Sequence, residues 1–271
     1  MLVATSTVSW AQVQTGVSAT GIAYDISGTG EPIVFVHGFS LDRRMWDGQS
    51  DAFSARYHVV RSDLRGHGHS APIGGPYTGY ADLLSVLDAA GIERATLVGL
   101  SAGSELAINL ALAHPARVSR LVLAAPGLGG YRGPALGWLQ PVFDAAAAGD
   151  AVEAASLWLD TPLMALKGDR AADTAVKSMV MGNAGLWTSK RLEQPLSPPA
   201  VGRLSEVTCP VLVVVGADDQ PHIHQIAEMI ADGIRGARRI VIPGAGHLVN
   251  LDAPAAFNAA LDSFLSLPPT P

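Results

Sequence analysis

The stretch that decides the fold is Leu97-Val98-Gly99-Leu100-Ser101-Ala102-Gly103. It connects a short apolar run to a helical pattern that continues to His114, and the connection is a Gly-x-Ser-x-Gly motif. A strand, a tight turn and a helix in this order are typical of a nucleophile elbow, in which the turn holds a serine at the N-terminus of the helix. Side chains at positions 99 and 103 would collide with neighbouring backbone in so tight a turn, which explains both glycines. Ser101 is therefore the candidate nucleophile.

Composition favours a small molecule as the partner of this chain. The chain has 271 residues, 48% of them hydrophobic and 15% charged, with a formal net charge of -6. That length suits one α/β catalytic domain carrying an insertion. Without a long run of Lys or Arg, an acidic chain has no electrostatic reason to bind nucleic acid or an anionic membrane. No stretch is long and apolar enough to span a bilayer.

The N-terminus and the cysteine content bear on the compartment. No Lys or Arg precedes Arg43, so the cationic region of a signal peptide is missing. Ser9-Trp10-Ala11 nevertheless resembles a cleavage site. We therefore expect a cytoplasmic protein, with export as the alternative if residues 1–11 are the remnant of a signal peptide. The single cysteine, Cys209, allows no intrachain disulfide and is expected to be a buried, inert thiol.

Strand and helix patterns alternate along most of the chain. Alternating apolar and polar residues in 8–17 and 20–26 predict an antiparallel pair at the edge of a sheet. Further strands are predicted by mostly apolar runs at 32–36, 57–61, 95–98, 118–125, 211–215 and 239–242. Helical spacing lies between them at 80–90, 102–114, 223–234 and 254–265. This alternation predicts an α/β fold with a mostly parallel central sheet flanked by helices.

The alternation stops between residues 126 and 204. Helical patterns at Val142–Trp158 and within Lys167–Val180 replace it, and a proline-rich stretch begins at Pro195. We expect residues 126–204 to form a helical cap inserted into a core domain of residues 1–125 and 205–271. Among its aromatic residues, Trp138 and Trp187 are the candidates for contact with substrate.

Five motifs follow one another in an order that resembles the α/β-hydrolase superfamily, over Val13 to Leu267. They are His37-Gly38-Phe39, Asp63-Leu64-Arg65-Gly66-His67-Gly68-His69-Ser70, the Gly99–Gly103 elbow, Gly216-Ala217-Asp218-Asp219 and Gly246-His247. The resemblance implies a triad of Ser101, Asp219 and His247, each at the carboxyl end of a predicted strand. Asp218 is the alternative acid. The acid of this family usually falls three residues after the glycine that closes its strand, which favours Asp219.

Each predicted site residue has a role in acyl transfer. A serine hydroxyl becomes a good nucleophile when a neutral imidazole takes its proton, and His247 is the candidate general base. A carboxylate from Asp219 would fix the tautomer of that imidazole and stabilise its charged form. The oxyanion needs donors, and the backbone N–H of Ala102 follows the nucleophile at a helix N-terminus. The resemblance assigns the second donor to the backbone N–H of Phe39.

The remaining titratable residues favour structural roles. His37, His67 and His69 are expected to hold loops near the site, and Asp63 is expected to anchor its loop. His222 and His224 are two residues apart at a helix start, which splays their side chains, so a metal site is not expected. The chemistry predicted is independent of metals and cofactors.

The leading hypothesis is a serine hydrolase that cleaves a small carboxylic ester or lactone through an acyl-enzyme. A serine at position 101 disfavours the haloalkane dehalogenases and epoxide hydrolases of the same fold, which use an aspartate there. A C–C bond hydrolase and a cofactor-free haloperoxidase or perhydrolase remain as alternatives. A ligand receptor that has kept the fold without catalysis is the alternative from another class, because function depends on the site and not on the fold.

Overall fold

The computed structural model describes residues 13–167 and 172–267, and its centre is an eight-stranded sheet. The strands are β1 Gln14–Val17, β2 Ala23–Ser27, β3 Glu31–Val36, β4 Tyr57–Ser62, β5 Ala95–Leu100, β6 Val118–Ala124, β7 Val211–Gly216 and β8 Arg238–Ile242. Their order across the sheet is β1-β2-β4-β3-β5-β6-β7-β8. The strand β2 pairs antiparallel with β1 and β4, and the other neighbours are parallel. The predicted α/β-hydrolase fold is confirmed.

Helices flank this sheet and follow the strands along the chain. They are α1 Asp47–Phe53, α2 Gly79–Ala89, α3 Ala102–Ala113, α4 Gln140–Ala147, α5 Ala151–Leu159, α6 Asp173–Gly182, α7 Pro221–Gly233, α8 Val249–Asp252 and α9 Pro254–Leu265. The helix α2 packs on α3, and α1 packs on α9. Within the described ranges, no helix has the length and apolarity needed to cross a membrane.

The middle strands form the core because apolar side chains on both of their faces are covered. All six residues of β5 and all six of β7 are buried. Aromatic rings extend this core toward the helices: the Phe35 ring on β3 lies 5.1 Å from the Trp46 ring, which lies 5.9 Å from Phe257 on α9. The sequence patterns did not predict α1 or the turn Arg43–Trp46 that precedes it.

Some predicted boundaries are wrong, and local chemistry explains them. The helix expected over Val142–Trp158 is two helices, because Gly149 adopts a left-handed φ of 81° after α4 and Asp150 caps α5 by accepting from the backbone N–H of Glu153 at 2.9 Å. The helix α6 begins only at Asp173. Residues 168–171, within the predicted helical stretch 167–180, and residues 8–12 of the predicted first strand lie outside the described residues.

The chain between β6 and β7, residues 125–210, is here named the cap segment and includes α4, α5 and α6. Its buried Asn183 donates side-chain N–H bonds to the carbonyl oxygens of Ser40 at 3.1 Å and Leu41 at 3.0 Å. Its Trp158 donates from Nε1 to Ser40 Oγ at 2.8 Å. These bonds attach the cap segment to the loop after β3. The division into a core domain and an inserted cap domain at residues 126 and 204 stays a prediction.

Candidate active site

Ser101 lies at the turn between β5 and α3 with φ 53° and ψ -114°, a conformation that non-glycine residues rarely adopt. Four backbone hydrogen bonds hold this turn: the Ser101 N–H donates to the carbonyl oxygen of Ala124, and the Ser101 carbonyl accepts from Ser104, Glu105 and Gly127, all at 3.0–3.2 Å. This bonding offsets the cost of the unusual conformation and keeps the serine in one position.

The two glycines of the motif are required by close backbone contacts. A Cβ at Gly99 would meet the backbone carbonyl group of Gly103, and a Cβ at Gly103 would meet the carbonyl oxygens of Val36 and His37. These atoms belong to the backbone, so they cannot swing away as the end of a flexible side chain can. The structure therefore shows the predicted steric requirement for both glycines. The contacts at Gly103 also place β3 against the start of α3.

Asp219 and His247 meet where β7 and β8 end. The Nδ1 atom of His247 lies 3.0 Å from Oδ2 and 3.2 Å from Oδ1 of Asp219, and both side chains are buried. Gly216 permits this approach, because a Cβ there would meet the carbonyl oxygens of Ala245 and Gly246. Asp218 is exposed. Of the two candidate acids, Asp219 is the one that contacts the histidine.

The nucleophile and the base candidates line one small cavity of about 40 Å³. Ser101 and His247 border it together with the side chains of Trp158, Leu163 and Met164 from the cap segment. The structure thus brings Ser101 and His247 to one space and places Asp219 behind the imidazole. This arrangement can transfer a proton from the serine hydroxyl to the histidine while the carboxylate stabilises the resulting charge.

The two residues predicted to donate to an oxyanion, Phe39 and Ala102, lie close to Ser101. Ala102 is the first residue of α3, where backbone N–H groups have no partner within the helix. Phe39 follows Gly38, at which a Cβ would lie 3.5 Å from the Ser101 Cβ, so the loop after β3 lies against the nucleophile. Phe39 lines the small cavity beside Ser101 and shares a larger cavity with Ala102.

His37 and His67 hold the loops around Phe39, as predicted. Nε2 of His37 accepts from the backbone N–H of Leu64 at 2.8 Å, and Nε2 of His67 accepts from that of Ser40 at 3.2 Å. Burial lowers the pKa of His37 to about 4. Burial, and secondarily the nearby His37, lowers the pKa of His67 to about 3. Both rings are therefore neutral acceptors at neutral pH.

Asp63 anchors its loop, as the sequence also predicts. Its carboxylate accepts from the backbone N–H of Arg43 and of His69, each at 2.9 Å, and from the Arg43 guanidinium at 2.6 Å. His69 itself is exposed, with its Nδ1 3.8 Å from Asp63. Cys209 is half-buried, and desolvation raises the pKa of its thiol to about 11, which makes it unreactive.

A larger cavity of about 570 Å³ continues from Phe39 and Ala102. Its walls are mainly apolar and include Trp187, whose ring lies 5.0 Å from that of Phe39 and 5.4 Å from that of Trp158. The prediction for Trp138 is not supported: it packs, half-buried, against the core, and its neighbour Leu139 lines the cavity instead.

Sequence reasoning missed two polar residues of this cavity, Glu105 and Asn109, which α3 contributes to the wall. Their spacing from Ser101 in the sequence could have indicated this position. Both follow Ser101 at intervals of four residues, so they lie on the same face of the helix as the nucleophile.

Residues 33–260 match the alpha/beta hydrolase family. The chain belongs to this family. It is 30% identical over 252 residues to a putative carbamate hydrolase, RutD, of Azorhizobium caulinodans, covering 89% of this chain and 93% of that protein. The structure of a hydrolase from Pseudomonas aeruginosa PA01 matches with a TM-score of 0.76 and 31% identity, over 94% of this chain and 98% of that one. A thermophilic esterase from Thermogutta terrifontis matches with a TM-score of 0.77 and 26% identity, over the same shares.

These relatives confirm the predicted class of enzyme. These three proteins are named as hydrolases or as an esterase, and each match extends over nearly the whole chain. The protein is thus a hydrolase of the alpha/beta family.

Proposed function

We propose that this hydrolase cleaves a small carboxylic ester or lactone through an acyl-enzyme formed on Ser101. The observation that carries the proposal is the arrangement of three side chains: Ser101 and His247 border one cavity, and Asp219 contacts the far nitrogen of the histidine at 3.0 Å. The similarity to a thermophilic esterase supports the choice of substrate.

In the first half of the reaction, Ser101 Oγ attacks the carbonyl carbon of the ester while Nε2 of His247 takes the hydroxyl proton. The backbone N–H groups of Phe39 and Ala102 would stabilise the oxyanion of the tetrahedral intermediate. When the bond to the alcohol breaks, the protonated His247 returns the proton to the leaving oxygen. The alcohol leaves, and the acyl group stays on the serine.

In the second half, a water molecule takes the place of the alcohol. His247 removes a proton from the water as it attacks the acyl carbon, and the same donors hold the second oxyanion. Collapse of this intermediate returns the proton to Ser101 and releases the carboxylic acid. Asp219 stays ionised throughout and keeps His247 in the tautomer that has Nε2 free.

Carbamate hydrolysis is the second candidate. It is favoured by the 30% identity to a putative carbamate hydrolase, which extends over 89% of this chain. The same serine, base and oxyanion donors would serve, but the bond that breaks joins carbon to nitrogen and the proton from His247 goes to the leaving amine.

A fluorophosphonate probe tests the nucleophile directly. We expect mass spectrometry to find the adduct on the peptide that contains Ser101, and the Ser101→Ala protein to lose both the adduct and the turnover of nitrophenyl acetate. Ser178→Ala, which changes an exposed serine on α6, is the matched control and should keep both. An adduct on another residue, or ester turnover that survives Ser101→Ala, contradicts the proposal.

A substrate panel separates the two candidates. Nitrophenyl esters graded by chain length, a set of lactones and carbamates that carry the nitrophenyl group on nitrogen, which release nitroaniline when the carbon–nitrogen bond breaks, should be compared by kcat/KM at one pH. We expect esters or lactones to give the highest values. A higher value for the carbamates would replace ester hydrolysis by the second candidate.

A further inference from the structure

The donor proposed at Phe39 belongs to the peptide unit that joins Gly38 to Phe39. In a planar trans peptide the carbonyl oxygen and the N–H point in opposite directions, so whatever holds the carbonyl also sets the direction of the N–H. The Gly38 carbonyl accepts from the backbone N–H of Leu41 at 3.3 Å. It also accepts from Nδ1 of His37 at 2.7 Å, because Nε2 of that neutral ring accepts from Leu64. Among the described residues the Phe39 N–H has no acceptor, which leaves it available to a substrate oxygen.

The bond from Leu41 to Gly38 closes a four-residue turn, and Ser40 is its third residue. Ser40 is fully buried and has a φ of 67°. A left-handed residue at this position of a turn is usually glycine, since other residues adopt the conformation at a cost in free energy. Glycine would avoid that cost but would have no side-chain oxygen. The turn that orients the Phe39 N–H therefore depends on a residue that its surroundings must hold in place.

Three hydrogen bonds hold Ser40. Its Oγ accepts from Nε1 of Trp158 at 2.8 Å, and its backbone N–H donates to Nε2 of His67 at 3.2 Å. Its carbonyl oxygen accepts from the side chain of Asn183 at 3.1 Å. Trp158 is buried and borders both the small cavity and the larger one. The indole that forms a wall of both cavities thus also holds the side chain of Ser40.

We propose that Ser40, held by Trp158, is a positioning residue for the backbone N–H of Phe39. The inference rests on the proposed function, because it takes an oxyanion to form when Ser101 attacks. The bond between Ser40 and Trp158 acts through the turn and not by contact with the reacting atoms. The Phe39 N–H matters most when the substrate oxygen carries its full negative charge, so loss of the bond should lower kcat and leave KM nearly unchanged.

Two substitutions remove this bond from opposite ends. Trp158→Phe removes the indole N–H and keeps an aromatic ring in the cavity wall. Ser40→Gly removes Oγ, and glycine adopts a left-handed φ without strain. Each should lower kcat for nitrophenyl acetate about tenfold, which is less than the loss of roughly 10²-fold or more that follows removal of an oxyanion donor. Trp138→Phe changes a half-buried tryptophan of the cap segment outside the lining of both cavities, and it should keep kcat.

The double variant tests whether the two side chains act through one bond. Both single substitutions break the same contact, so the double variant should also lose about tenfold in kcat. Independent effects would multiply to about a hundredfold, and that result would overturn the proposal. Should one of the single variants fail to fold, the other decides through the inhibitor measurement that follows.

A transition-state analogue separates positioning from a general loss of structure. In a trifluoromethyl hexyl ketone, Ser101 Oγ adds to the carbonyl carbon, the hydroxyl proton moves to His247, and the carbonyl oxygen becomes an oxyanion. Methyl hexyl ketone has the same chain but is not activated for this addition. Inhibition of nitrophenyl acetate hydrolysis measures both. In each variant the inhibition constant of the trifluoromethyl ketone should rise about tenfold, in step with the loss of kcat, and that of the methyl ketone should not change.

The outcomes distinguish this inference from the proposed function. Unchanged kcat in both single variants, or equal weakening of the two ketones, overturns the positioning role of Ser40 and leaves ester hydrolysis on Ser101 intact. If wild-type protein hydrolyses no ester, the proposed function fails and this inference fails with it.

Discussion

The two sides of the cleft are built in different ways. On the core side, the candidate catalytic residues follow three parallel strands, and backbone contacts at Gly99, Gly103 and Gly216 hold their loops together. On the cap side, side chains such as Trp158 and Trp187 form the walls, and hydrogen bonds such as those of Asn183 attach them to the core. We therefore expect the core to fix the geometry of the reaction and the cap segment to select the substrate.

The largest effect is expected at the triad acid. Asp219→Asn should lower kcat by about 10⁴-fold, because the amide favours the wrong tautomer of His247. Asp218→Asn, its exposed neighbour, should leave kcat essentially unchanged. Steady-state kinetics on nitrophenyl acetate would measure both, and equal losses in the two variants would remove Asp219 from the proposed triad.

The second largest effect is expected at Gly103, where the backbone of the core is in close contact. Gly103→Ala should destabilise the protein by about 3 kcal/mol, because the new Cβ would meet two carbonyl oxygens that cannot move independently. Gly48→Ala lies in α1 with nothing within 4 Å of its Cβ, and it should stabilise by about 0.5–1 kcal/mol. Urea unfolding measures both. Similar effects of the two substitutions would show that the elbow is not tightly packed.

Acid should destabilise the core side through His37 and His67. Their folded-state pKa values, about 4 and about 3, lie below that of an unfolded histidine, so the unfolded chain binds more protons as the pH falls below about 6.5. Each histidine should then cost about 1.4 kcal/mol of unfolding free energy per pH unit.

Urea unfolding at pH 7, 6 and 5 measures this slope. His67→Gln should reduce it, and His69→Gln, which changes an exposed histidine, should not. A stability that does not change between pH 7 and pH 5 would contradict the burial of these two rings as neutral groups.

The attachment of the cap segment to the core tests whether the two sides of the cleft have separate roles. Asn183→Ala should cost about 2 kcal/mol, because it leaves buried carbonyl oxygens of Ser40 and Leu41 without donors. Because these residues follow Phe39, kcat should fall as well. Lys177→Ala on the exposed side of α6 is the control, measured by thermal unfolding and kinetics. A loss of stability with unchanged kcat would separate the cap segment from the catalytic geometry.

The smallest effect is expected in the cap wall. Trp187→Leu should raise KM for long-chain nitrophenyl esters by about tenfold, because it removes apolar contact with the substrate. It should leave kcat for the acetate nearly unchanged. A fall in kcat for the acetate would mean that Trp187 positions the reacting groups, contrary to a role in selection alone.

Much of the candidate site could be predicted because its parts depend on local backbone. The apolar run before Ser101 is a buried strand, and Gly99 is required by the backbone of Gly103, four residues further along the chain. The start and end of α9 also agree with the sequence pattern, since Pro254 marks its first turn. Such features depend on neighbours in the chain, so a single sequence carries them.

Other features depend on residues that are distant in sequence. The division of 142–158 into two helices follows locally from Gly149. By contrast, α1 is stabilised by burial of Gln49, Ser50 and Phe53, and no periodic pattern in the sequence predicts this helix. Likewise, Leu139 and not Trp138 lines the cavity although both side chains pack half-buried against the core, so hydrophobicity alone does not decide which of them faces inward.

The sequence by itself determined the strand, elbow and helix around Ser101 and the order of serine, acid and histidine, because these depend on local sterics and on the direction of successive strands. Only the tertiary structure decided that Asp219 and not Asp218 contacts His247, and that Glu105 and Asn109 line the larger cavity. The physical reason is that burial and hydrogen bonding are properties of a closed space, and the walls of that space come from segments far apart in the chain.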